Sequence, residues 1–271
     1  MEGFVQRNIY IDFSIRWNDK KSMPKIKILF IHHSTGANLI RQGKIREKLF
    51  VKYSDIEFWD HSYNLLLFWP ITARLIPYQT GLSDQNGKLT GIDYSIKIAN
   101  TDPQGYADLF SQEICTPQKN SFSKIISNFD VVMFKSCFPT TKIESDKQLQ
   151  HYKDCYFSIQ KTTDKLVNKL FLLFTPPPLR KEMTKPEYAV RAREFSIWMK
   201  SPEFLRNSKN VAVFDFFNNL AGEDSTLRRE YCPFIPFDSH PNKKANIECS
   251  DKLVTFIVNS VNSFIDNKNG K

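Results

Sequence analysis

Five short runs of apolar residues punctuate the chain, at 26–31, 56–59, 131–134, 170–174 and 211–214, each bounded by charged or turn-forming residues. Unbroken runs of this kind, rich in Val, Ile and Phe, suit strands covered on both faces, as in a parallel sheet. Between them lie segments of helical length. Segment 37–52 carries Leu39, Ile40, Ile45, Leu49 and Phe50 near helical spacing, and 146–170 is long, Pro-free and polar on one side. In 251–265 the residues Leu253, Val254, Ile257, Val258, Val261 and Ile265 repeat as on one face of an amphipathic helix. Strand and helix alternate to the C-terminus, which predicts an α/β chain with helices on both faces of a parallel sheet.

Segment 62–117 breaks this rhythm. It is rich in turn formers (Pro70, Pro77, Gly81, Asn86-Gly87, Gly91, Pro103, Gly105) and carries the aromatics Trp69, Tyr78, Tyr94 and Tyr106. A long irregular insertion in a compact domain is usually functional or disordered; here its aromatics argue for order, as a pocket wall or a core. Within it, Asp102-Pro103 followed by Gly105 predicts an Asx-type turn. The chain shows neither an internal repeat nor a Gly/Ser linker, so 24–271 is expected to form one domain, preceded by an N-terminal extension at 1–23.

Composition narrows the class. With 41% hydrophobic and 14% aromatic residues in 271, the chain can bury a sizeable core and is not of the disordered class. No apolar run approaches the roughly 18 residues of a membrane-spanning helix. Residues 1–23 scatter Glu2, Arg7, Asp12, Arg16 and Asp19 through an alternating pattern, unlike a secretion signal. The five cysteines (Cys115, Cys137, Cys155, Cys232, Cys249) are odd in number and lack a C-x-x-C pair, which suits free thiols in a reducing cytoplasm. The net charge of +9 is spread without a block of like charges. Neither nucleic acid nor a membrane is therefore an expected partner.

Two stretches carry candidate chemistry. The first strand runs into His32-His33-Ser34-Thr35-Gly36, followed at once by a helix. Ser34 there is either the helix N-cap or a nucleophile beside the helix's backbone N–H groups. Near the other end stands Phe237-Asp238-Ser239-His240-Pro241-Asn242. Asp238 and His240 can supply the acid and imidazole that a serine needs to become nucleophilic, although the same residues also make a good turn and helix start. Cys137 is an alternative nucleophile, as it follows a strand expected beside the first. No metal ion is expected, because adjacent histidines on a strand point to opposite faces.

Serine after the first strand, Asp238-Ser239-His240-Pro241-Asn242 before the last helix, and Val131-Val132-Met133-Phe134-Lys135-Ser136-Cys137 between them together resemble the SGNH/GDSL hydrolase superfamily from Lys25 onward. The resemblance implies a flavodoxin-like three-layer fold with a five-stranded parallel sheet of order 2-1-3-4-5. It also implies a serine hydrolase, without cofactor or metal, acting on carboxylic (acetyl-like) esters of a small molecule or carbohydrate. Carried over, Ser34 is the nucleophile, His240 the base and Asp238 the orienting acid. The oxyanion donors would be Ser34, Gly81 and, in place of the family's amide, Ser136. From their own positions His33, Asp60, Asn100 and Lys135 are candidate substrate contacts, with a surface pair the alternative for Asp60 and a structural turn for the cluster at Asn100. Departures are evident. His32-His33-Ser34 replaces G-D-S, and Lys135-Ser136-Cys137 stands where the third block has its asparagine. D-x-H replaces D-x-x-H, which puts Phe237 at the usual acid position and leaves a Ser34–His240 dyad as an alternative. A catalytically inactive binding module of this fold, or an acyltransferase using the same residues, would carry the same pattern.

Overall fold

Five of the apolar runs become strands whose neighbours on both sides are other strands or helices. The computed structural model describes residues 25–63, 80–94, 96, 102–111, 117–268 and 270. The extension at 1–23 and the expected contributions of Trp69, Tyr78, Asn100 and Cys115 lie outside these residues. The parallel strands are β1 (Ile26–His32), β2 (Ile56–Ser62), β4 (Val131–Lys135), β5 (Leu170–Phe174) and β6 (Val211–Phe214). A short antiparallel strand, β3 (Gly81–Ser83), joins the edge at β2, giving the order β3-β2-β1-β4-β5-β6. Without β3 this is the expected 2-1-3-4-5 arrangement. The sixth strand is an addition from the segment read as irregular.

Alternate residues of each strand enter opposite cores, as the period of two requires. Leu29, Ile31, Val132, Phe134, Phe171 and Leu173 pack on one side. That side is covered by α3 (Pro103–Phe110), α4 (Pro117–Asn128), α5 (Asp146–Thr163), α6 (Pro186–Trp198) and α7 (Pro202–Leu205). Ile28, Phe30, Met133, Leu172 and Phe174 pack on the other. There they meet α1 (Ser34–Gly43), α2 (Ile45–Lys52), α8 (Phe216–Leu220) and α9 (Lys243–Lys268).

Several boundaries differ from expectation for local reasons. Segment 37–52 is two helices, separated where Lys44 takes a left-handed conformation with φ 53°. α9 begins at Lys243, well before 251, because Asn242 starts it: its Oδ1 accepts the Ala245 N–H at 3.1 Å. α5 stops at Thr163 and the chain turns before β5. Asp102 makes the predicted Asx turn, accepting the Gln104 N–H at 2.9 Å, and thereby caps α3.

Candidate active site

β1 delivers His32 and His33 to the carboxyl edge of the sheet, and α1 opens immediately with Ser34. The residue in the N-cap position is His33, whose side chain makes no capping hydrogen bond. Ser34 is therefore the first helical residue, and its hydroxyl is free for another partner. The N–H groups of Ser34 and Thr35 lie in the first turn, where no intrahelical acceptor exists.

The loop before α9 supplies the partner. Ser34 Oγ lies 2.7 Å from His240 Nε2, and His240 Nδ1 lies 2.6 Å from Asp238 Oδ1. Asp238 Oδ1 also accepts the His240 backbone N–H at 2.9 Å. With the carboxylate facing Nδ1, that nitrogen carries the proton and Nε2 accepts from the hydroxyl. The D-x-H spacing thus closes the same hydrogen-bonded chain around a tight turn. Asn242 fastens the loop, its Nδ2 donating to the carbonyls of Glu230 at 2.9 Å and Cys232 at 3.1 Å. Phe138 packs edge-on against the imidazole, with centroids 4.9 Å apart. The His240 and Asp238 side chains remain 29% and 28% exposed, so the imidazole is open on one side to an incoming molecule.

Burial alone would lower the His240 pKa, but the Asp238 hydrogen bond and the nearby Cys137 charge outweigh it and raise the pKa above the ordinary 6.5. Asp238 is opposed by burial, yet its hydrogen bonds to the His240 ring and backbone hold its carboxyl below 3.8.

A second layer of groups lies beneath Ser34. Cys137 Sγ is 3.7 Å from Ser34 Oγ and 3.3 Å from Thr35 Oγ1. Lys135, fully buried, donates to Thr35 Oγ1. Burial would raise the Cys137 pKa. The Lys135 ammonium, the His33 hydrogen bond and His240 instead bring it well below the ordinary thiol value. Burial lowers the Lys135 pKa in turn, with Cys137 opposing.

Lys135 was expected to touch substrate. Instead it sits under the site, because Lys135 at the end of β4 and Cys137 two residues on both turn toward Thr35 of α1. Ser136 faces the opposite way, beside Tyr156 and fully buried. His33 does reach the site, its Nδ1 3.3 Å from Ser34 Oγ and its ring 5.4 Å from that of Tyr63. Asp60 is tied inward: Oδ2 meets His32 Nε2 at 2.9 Å and Oδ1 accepts from Arg46. Burial opposes its ionisation, but those two partners hold the carboxyl below 3.8. Asp60 lines a cleft of about 290 Å³ with His32, Ala37, Arg41, Arg46 and Ser83, beside α1 rather than over Ser34. Gly81 stands in register with Ser62 and His32 across the sheet, two strands out from β1. The His32–Asp60–Arg46 network was missed in the sequence. Asp60 stands out after the apolar run 56–59, but nothing local marks Arg46, on α2, as its partner.

No family model and no curated protein sequence matches the chain. Solved structures do. An inferred acylhydrolase of Bacteroides fragilis superposes with a TM-score of 0.50 at 10% identity, covering 88% of this chain and 91% of its own. A GDSL-like lipase of Bacteroides thetaiotaomicron gives 0.47 at 9% identity, covering 87% and 88% respectively. At such identity the likeness speaks for architecture. Together with the strand order, the first of these shows that the chain has a three-layer α/β fold built on a mainly parallel sheet.

Proposed function

We propose that residues 24–271 form a single SGNH-type serine hydrolase domain that cleaves a carboxylic, acetyl-like ester carried by a small molecule or a carbohydrate. The observation that carries this reading is the unbroken chain Ser34–His240–Asp238, at 2.7 and 2.6 Å, assembled from segments more than two hundred residues apart. Ser34 Oγ attacks the acyl carbon as its proton passes to His240 Nε2, and Asp238 stabilises the resulting imidazolium. The carbonyl oxygen develops negative charge at the N-terminus of α1, where the Ser34 N–H is a preorganised donor. His240 then protonates the departing alcohol, and water repeats the sequence to release the acid and restore Ser34. No step calls for a cofactor or metal ion.

His240 Nε2 accepts its hydrogen bond from the Ser34 hydroxyl, with Cys137 to one side, which favours the hydroxyl over the thiol as nucleophile. The aligned proton path also argues for an enzyme over a binding module. Replacing Ser34 by Ala is expected to reduce p-nitrophenyl acetate turnover by at least about a thousandfold, with an unchanged circular dichroism spectrum. A fluorophosphonate probe should label the parent protein and not the variant. Turnover that survives Ser34→Ala would overturn the assignment.

A further inference from the structure

The loop that carries the acid and base also carries an apolar tip that the chemistry does not use. Between Cys232 and Asp238 the chain reads Pro233-Phe234-Ile235-Pro236-Phe237, and Phe234, Ile235 and Phe237 are 102%, 63% and 72% exposed. Single exposed apolar residues are ordinary, whereas three on one short loop mark an interaction surface. The exposure is built in. Arg180 Nη1 donates to the Ile235 carbonyl at 3.0 Å, and the Arg180 backbone N–H donates to Ser239 Oγ at 3.1 Å. Asn242 holds the Cys232 carbonyl at the other root. Phe237 is kept at φ 62°, a left-handed conformation unfavourable for a bulky side chain. The backbone is thus pinned while its apolar side chains face outward.

Cations surround the roots of this tip. Arg229 precedes it, and Lys243 and Lys244 follow on the first turn of α9, all three exposed. Of the nearby acids, Glu230 is paired with Arg228, Glu182 with Arg180, and Glu248 accepts from the Tyr231 hydroxyl. An apolar aromatic tip ringed by Lys and Arg is the pattern of a segment that enters the headgroup boundary of an anionic bilayer. We propose that residues 233–237 dock this protein peripherally on an anionic lipid surface, with the Ser34–His240 opening turned toward the lipid. Among the described residues no helix is long and apolar enough to cross a membrane. The proposal departs from the sequence expectation of no membrane partner. It also deepens the hydrolase reading, since the ester would be one that a lipid surface presents.

Co-sedimentation of the full chain, as parent and as Ser34→Ala, with phosphatidylglycerol/phosphatidylcholine vesicles tests the docking without any chemistry. Both proteins are expected to partition onto these vesicles, and about tenfold less onto phosphatidylcholine alone. A Phe234→Ser/Ile235→Ser double variant should partition about tenfold less while hydrolysing p-nitrophenyl acetate like the parent. Three results would overturn the proposal: no partition, partition unchanged in the double variant, or a tip-dependent dimer in sedimentation velocity without vesicle binding. Normal vesicle binding with no ester turnover would instead count against the hydrolase reading alone.

Discussion

Only the neutral imidazole can take a proton from Ser34, so the ionisation of His240 governs the acid side of any activity. Asp238 and the Cys137 charge raise that ionisation above 6.5. The expected profile is therefore a kcat/KM that climbs with pH, with its midpoint above 6.5. Asp238→Asn removes the hydrogen-bonded negative charge, so the midpoint should fall, and turnover should drop by roughly 10²–10⁴-fold as the tautomer is lost. Cys137→Ser should also lower the midpoint, because it takes away a charge that favours the imidazolium. A thiol with a purely space-filling role would leave the midpoint where it is. At this scale the sequence was informative about Ser34 and His240, since each sits next to the start of a helix. Asp238 was ambiguous because a D-x-H turn closes its hydrogen bond only in a particular backbone conformation. For Lys135, strand alternation shows which residues share a face, not which of them a substrate can reach.

The placement of Ser34 depends on how closely α1 approaches the strand it leaves. A Cβ built on Gly36 would lie 2.3 Å from His32 Cβ and 2.8 Å from its Cγ, so only glycine lets the helix fold back over this histidine. His32 cannot yield easily, as its nitrogens contact the His33 carbonyl at 3.0 Å and Asp60 at 2.9 Å. Gly36→Ala is expected to cost about 1–3 kcal/mol by overpacking and, with Ser34 only two residues away, to reduce turnover along with stability. Urea denaturation read beside the esterase assay checks both; a variant as stable and active as the parent would contradict the close packing. Gly43 explains why 37–52 read as a single helix. Its Cβ would meet Ser250 Cβ at 2.6 Å, so this glycine serves the α1–α9 contact, while the left-handed break falls on Lys44, which gives no such signal. α6 passed unnoticed because its buried face includes Ala189, Ala192 and Ser196, too small or polar to stand out as a periodic stripe. β3 has three residues, below the length at which alternation can be read.

Over the whole molecule, the parallel strands were legible because burial on both faces forces continuous apolar runs, and the edge was not. β2 departs from such a run after Trp59, where Asp60 and His61 enter opposite sides of the sheet. His61 is completely buried, its ring stacked on Tyr94 at 5.4 Å and its Nε2 accepting the Tyr94 N–H at 3.1 Å. It thereby ties the segment 80–94 to the sheet. Burial brings its pKa from 6.5 down to about 4, against the opposing pull of Asp93. The unfolded chain accordingly binds a proton between pH 6.5 and 4 that the folded chain refuses, and stability must fall as pH drops through that window. A displacement of this size is worth about 3 kcal/mol in total. Asp60 and Asp238 act lower, since carboxyls held below 3.8 lose their contribution only as pH falls past that value. His240 acts higher and with the opposite sign, because its raised pKa favours the fold below 6.5 and that benefit fades as pH rises through the folded value. The windows are separate, so His61 can be isolated. His61→Gln keeps an oxygen able to accept the Tyr94 N–H but cannot titrate. Urea unfolding of parent and variant from pH 4 to 6.5 should show a steep loss of stability toward acid in the parent and a nearly flat line in His61→Gln. Parallel curves would mean that the buried imidazole is not what couples this edge of the sheet to pH.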